Sequence, residues 1–132
     1  MNSDYVIRWF KKAENDLKVA KTLLQTEDSP TDIIGFHCQQ AIEKYFKGYL
    51  TFKGQTAKKT HDIIALLNIC KTFDTGFDKF DEEKLAELNF FAVEIRYPDE
   101  YYLPDKEEVE SFFELANKIK EFVLKKTKIQ ID

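Results

Sequence analysis

A chain of 132 residues fits one domain around one core, and 43% hydrophobic with 33% charged residues is a globular composition that sets intrinsic disorder aside. The formal net charge of −4 excludes a general nucleic-acid coat, which needs a basic surface to neutralise phosphates, and no DNA partner is expected. Four Gly and three Pro are too few for a many-turned sandwich or barrel and favour long helices with few loops.

The spacing predicts a first helix over 4–26, with Val6, Trp9, Phe10, Ala13, Leu17, Ala20 and Leu24 on one apolar stripe. Lys11, Lys12, Glu14, Asn15, Lys18 and Lys21 occupy the other face, and Pro30 stops the helix. A second helix starts at Thr31, a candidate N-cap, and buries Ile34, Cys38, Ala41, Ile42, Tyr45, Tyr49 and Phe52. Gly54 suits the left-handed position after its end. A third helix is expected from His61 behind Thr60, with a stripe of Ile63, Leu66, Leu67, Cys70 and Phe73, followed by a loop over 74–80.

Asp81 caps a fourth helix that buries Leu85, Leu88, Ala92 and Ile95 and ends where Pro98 restricts Tyr97. The fifth opens at Asp105, with Glu108 at capping-box spacing, and buries Val109, Phe112, Phe113, Ala116, Ile119 and Val123; the tail after Lys125 is expected to fray. Short connections between long amphipathic helices make neighbours antiparallel. The expected architecture is all-α: an up-down antiparallel four-helix bundle with an additional helix, one domain over 1–132.

No apolar run approaches the ~20 residues of a membrane span, and the N-terminus lacks a signal-peptide pattern, so a cytoplasmic protein with no membrane partner is expected. Cys38 and Cys70 fit no zinc-type spacing; free buried thiols are expected, with no metal and no cofactor. With 12 Phe and 6 Tyr, part of the aromatic surplus is expected at a subunit interface or a cleft; Tyr101, Tyr102 and Leu103 either dock onto the bundle or meet a second chain, and an exposed cluster of them would mark an interface.

Three phrases carry a resemblance: Gln39-Gln40-Ala41-x-Glu43-Lys44-x-x-Lys47, then Lys59-Thr60-His61-Asp62, then Arg96-Tyr97-Pro98-Asp99. In order and spacing they resemble the HEPN domain in its small prokaryotic form, across nearly the whole chain. The resemblance implies a helical bundle that pairs as a homodimer. It implies a minimal nucleotidyltransferase partner in a toxin–antitoxin-like pair, with a nucleotide or RNA as ligand. Many members are metal-independent ribonucleases that place an Arg and a His four to six residues apart. Here Arg96 has no following His, because the two histidines, His37 and His61, lie upstream. The chain is therefore expected to bind a protein partner and a nucleotide rather than to be an enzyme. The alternatives are a diverged ribonuclease and a non-catalytic dimerisation scaffold.

Arg96 is the first candidate, because a planar guanidinium forks onto phosphate; an ion pair with Glu94, Asp99 or Glu100 is its competing role. Tyr97 either stacks on a base or covers the core edge. His61, expected at a helix N-terminus beside Lys58 and Lys59, suits an anion site, or Thr60, His61 and Asp62 merely cap. His37, Gln40, Lys44 and Lys47 fall at steps of three, four and three on one face, which reads as a ligand or partner stripe or as a solvated face. Glu43 and Lys47 at i,i+4 are expected to form a pair that contributes only about a few tenths of a kcal/mol and decides nothing. Catalytic candidates are Arg96, His61 and Tyr97; ligand candidates are Arg96, His61, Lys59, His37, Gln40, Lys44 and Lys47.

Overall fold

The first helix, α1 (Ser3–Leu24), buries Val6, Phe10, Ala13, Leu17 and Ala20 as its period requires. The computed structural model describes residues 3–56, 58–92 and 102–131. Among them follow α2 (Thr31–Phe52), α3 (Ile63–Phe73), a 3₁₀ helix (Thr75–Lys79), α4 (Glu82–Asn89) and α5 (Lys106–Thr127), with no strand. No helix among the described residues is long and apolar enough to cross a membrane.

α2 is the central rod, packed against α1, α3, α4 and α5. It runs antiparallel to α1: Phe10 meets Tyr45 and the flank of Gly48, while Asp16 meets His37 farther back on α2. The close approach at Gly48 is built in, since a Cβ there would stand 2.4 Å from Phe10 Cε1 and 3.1 Å from Trp9 Cβ. Helix propensity alone would favour Gly48→Ala by about 1 kcal/mol. Overpacking typically costs about 1–3 kcal/mol and wins here, because Phe10 is fully buried and has nowhere to retreat. Gly48→Ala is expected to lower the urea midpoint; an unchanged midpoint would mean that α1 and α2 separate freely at this point.

α3 begins beside the middle of α2, where the Gln39 amide donates to the His61 carbonyl (2.7 Å). Gly54 takes the expected left-handed φ of +81°. α3 and α4 are antiparallel: Lys71 pairs with Glu82 at one end, and Asn89 bonds Asp62 at the other. α5 opens on the expected capping box of Asp105 and Glu108.

Local signals erred where a distant segment decided. Thr31 is not the cap of α2: Pro30 holds that position with no side-chain cap, and the Thr31 hydroxyl is buried without a hydrogen-bond partner. α3 starts two residues late because Asp62, not Thr60, caps it, accepting from the Ile64 and Ala65 N–H groups. Phe73 stays 38% exposed, outside the stripe assigned to it. The expected loop over 74–80 contains the 3₁₀ helix, whose Phe77 is fully buried. Ala92 lies beyond the end of α4, and Ile95 falls outside the described residues. On α5, Leu115 is buried and Phe113 only partly so. Helix α5 runs on to Thr127, whose buried hydroxyl donates to the Val123 carbonyl (3.0 Å), before Lys128 turns left-handed. Cys38 and Cys70 are free and buried, and burial pushes both thiols up to about 12, which keeps them inert.

Candidate functional site

The polar groups of α2 do not form one row. They divide between two carboxylates, each of which holds one of the two histidines. Glu43 is buried to 3% exposure and accepts from the Lys47 ammonium (2.9 Å), the His61 Nδ1 (3.0 Å) and more distantly the Gln40 amide (3.4 Å). Gln40 also donates to the Oε1 of the fully buried Gln39 (2.8 Å), and Gln39 holds the His61 backbone. Lys47, itself buried, lies 5.6 Å from the centre of the Trp9 ring. The i,i+4 pair expected to be minor is thus a buried ion pair roofed by an indole, for which surface magnitudes do not apply.

His61 is the exposed member, with 64% of its side chain open to solvent. A carboxylate only accepts, so the ring proton facing Glu43 is on Nδ1. In the neutral ring Nε2 is then an acceptor, available to an incoming group. The backbone that carries the ring is fixed on both sides: Gln39 grips the His61 carbonyl, and Asp62 caps α3. Asn89 on α4 donates to Asp62 (2.8 Å) and accepts from the Ile63 N–H (3.1 Å). The Asn89 hydrogen bond, with those from Ala65 and Ile64, holds the Asp62 carboxyl below its usual range.

The second carboxylate is Asp16 of α1. His37 Nδ1 donates to one of its oxygens (2.9 Å) and Lys44 to the other. Beside it, Glu14 accepts from the Tyr45 hydroxyl (2.8 Å) and from Lys120 of α5 (2.7 Å), which joins three helices. Burial and the Glu14 hydrogen bond raise the Tyr45 hydroxyl above its ordinary range. A buried carboxylate that orients an imidazole on a rigid scaffold is a unit of acid–base and anion-binding sites.

A family model described as the HEPN domain matches residues 6–127. The chain belongs to the HEPN domain family. A Methanocaldococcus jannaschii protein named "Putative toxin MJ1304" is 31% identical over 106 residues, covering 76% of this chain and 68% of that one. The crystal structure of TT1696 from Thermus thermophilus superposes with a TM-score of 0.72 at 27% identity, over 96% of this chain and 99% of the other. The structure of ST0689, described as an archaeal HEPN homologue, gives 0.63 at 25% identity, over 92% and 97%.

In this HEPN chain the sequence-derived candidates fall into three groups. His61, Gln40 and Lys47 meet around Glu43, while His37 and Lys44 meet around Asp16. Lys58 and Lys59 are exposed in the connection that leads to His61. Arg96 and Tyr97, with Glu94, Pro98, Asp99, Glu100 and Tyr101, lie outside the described residues. The row of His37, Gln40, Lys44 and Lys47 is not a solvated face: Lys47 is buried and the other three are half-buried. His61 is not the first residue of α3 but precedes its cap. Sequence reasoning missed Asp16, Gln39 and Asn89, whose roles rest on partners elsewhere in the chain.

Proposed function

We propose that this HEPN protein is one half of a toxin–antitoxin-like pair, homodimeric, with a minimal nucleotidyltransferase as partner and a nucleotide phosphate bound between His61 and Arg96. One observation supports the site: the segment that contains Arg96 follows α4, whose Asn89 is bonded to Asp62 beside His61, and its far end packs back on the residues that follow Asn89. The chain passes Asn89, which is bonded to Asp62, just before Ala92. At the other end Tyr102 packs on Phe90 and Phe91 at 5.6 and 5.9 Å between ring centres. The exposed imidazole and exposed Lys58 and Lys59 supply phosphate-compatible groups from the connection that precedes α3. The relative named as a toxin supports the biological setting.

Calorimetric titration with ATP tests this reading. Wild type is expected to bind, and Arg96→Ala and His61→Ala each to weaken binding roughly tenfold or more while the melting temperature holds, since a charged phosphate contact contributes about 1.5–3 kcal/mol. No heat at millimolar ATP defeats the nucleotide assignment. The Glu43–His61 pair also favours a second reading, a diverged ribonuclease in which His61 moves the proton. RNA cleavage lost in both His61→Ala and Arg96→Ala, with the fold intact, decides for it.

A further inference from the structure

A second feature lies apart from these residues. Lys118, Glu121, Phe122, Lys125 and Lys126 follow one another on α5 at steps of three, one, three and one, so they share a face. Lys79 and Phe80 of the 3₁₀ segment stand across from them, and the two sides enclose an open cleft of about 630 Å³. Four lysines and one glutamate line it, in a chain whose net charge is −4. The Lys79 ammonium rests 4.5 Å from the centre of the Phe122 ring and 5.5 Å from that of Phe80. A ring holds a cation in place without cancelling its charge, as a carboxylate would. Lys126 is shared between Asp74 (3.0 Å) and the Phe122 ring. Among the described residues Lys79, Lys118 and Lys125 pair with no carboxylate.

Lysines in the last turn of a helix complement its dipole, which accounts for Lys125 and Lys126. Lys79 likewise ends the 3₁₀ helix, but this does not account for Lys118, more than two turns from the end of α5. Uncompensated cations facing one another across a cleft repel, and an anion relieves that cost. Lys118 and Lys125 are about 10 Å apart along the axis, at 1.5 Å per residue, so the positive potential is a line rather than a point. We propose that this cleft binds a chain of phosphate groups, with Lys79, Lys118 and Lys125 as its cationic contacts and Phe122 as its floor.

Such a chain belongs either to a free polyphosphate or to the backbone of single-stranded RNA, and two probes separate the sources. Inorganic tripolyphosphate and a short oligouridylate are titrated into the full chain and its variants at low salt. Binding of either probe, weakened roughly tenfold or more in Lys118→Gln/Lys125→Gln and again in Lys79→Gln, supports the cleft. The probe that binds names the source. For the oligouridylate, losing two contacts should also reduce the slope of log affinity against log salt by about 1.4. These lysines take no part in the core, and helix content and melting temperature are read alongside to confirm the fold. His61→Ala must leave this binding at the wild-type level, which keeps the result separate from the nucleotide assignment above. Failure of both probes to bind, or equal binding by wild type and the double-lysine variant, overturns the cleft assignment, as does binding lost only in His61→Ala.

Discussion

Replacing Glu43 with alanine is expected to remove about 3–5 kcal/mol of folding stability, read as a fall in the urea midpoint at unchanged slope. The effect comes mostly from what is left behind. Lys47 has 7% of its side chain exposed and Glu43 has 4%, so deleting the carboxylate strands an ammonium with little water and only the Trp9 face beside it. The desolvation cost already incurred is then no longer offset. Gln40 and His61 lose an acceptor too, but both reach solvent and lose less. This attribution has a built-in control. Glu43→Leu combined with Lys47→Met removes both charges and should recover most of the loss, since a buried ion pair and a well-packed apolar pair of similar size are often close in stability. If the double replacement is as damaging as Glu43→Ala, the cost lies in the hydrogen bonds to the connection before α3. If Glu43→Ala is nearly silent, water reaches Lys47 and the pair is a surface pair.

The same pair marks the boundary of what the sequence can carry. The stripes of α1 and α5 were legible because a helix with one core-facing side shows its period whatever it packs against. The caps Asp81 and Asp105 were legible because donor and acceptor lie within one turn. α2 differs, since neighbours surround it and even Gln39, Glu43 and Lys47 are buried. An i,i+4 Glu–Lys pair reads the same on an open face and under an indole, and Trp9, far back in α1, decides which it is. Asp16 belongs to neither the apolar stripe nor the polar face read on α1, and only His37 and Lys44, arriving from α2, give it a role. At the head of α3, Thr60 and Asp62 are both plausible caps on local grounds. Asn89, 27 residues beyond Asp62, bonds Asp62 and the Ile63 N–H and so fixes the cap and the place of His61.

Phe77→Ala is expected to cost about 3–5 kcal/mol, a core-helix magnitude in a segment that reads as a loop. Phe77 is fully buried, with ring centres of Tyr49 and Phe122 both at 4.8 Å and those of Phe46 and Phe80 at 6.0 and 6.2 Å. It therefore ties α2 to α5 through rings mostly in edge-to-face contact, a favoured aromatic geometry. Phe77 and Phe80 keep steps of four and three from Phe73, but α3 ends at Phe73 with Asp74 as its cap, so no helix carries that period through Phe77. The backbone around it is nonetheless set: the Asp74 carboxylate accepts from the Gly76 N–H (2.7 Å) and from Lys126 of α5 (3.0 Å). Those two contacts hold its carboxyl below the usual range, the backbone N–H contributing most. With the segment pinned, the void left by the ring cannot close by local collapse, which puts the loss toward the upper part of the range for aromatic-to-alanine changes. Phe77→Leu keeps most of the volume and should lose clearly less. Urea unfolding of the two variants decides the matter: equal losses would place the effect in the ring contacts rather than in the cavity, and a loss below about 1 kcal/mol for alanine would show that the 3₁₀ segment moves in to fill the space.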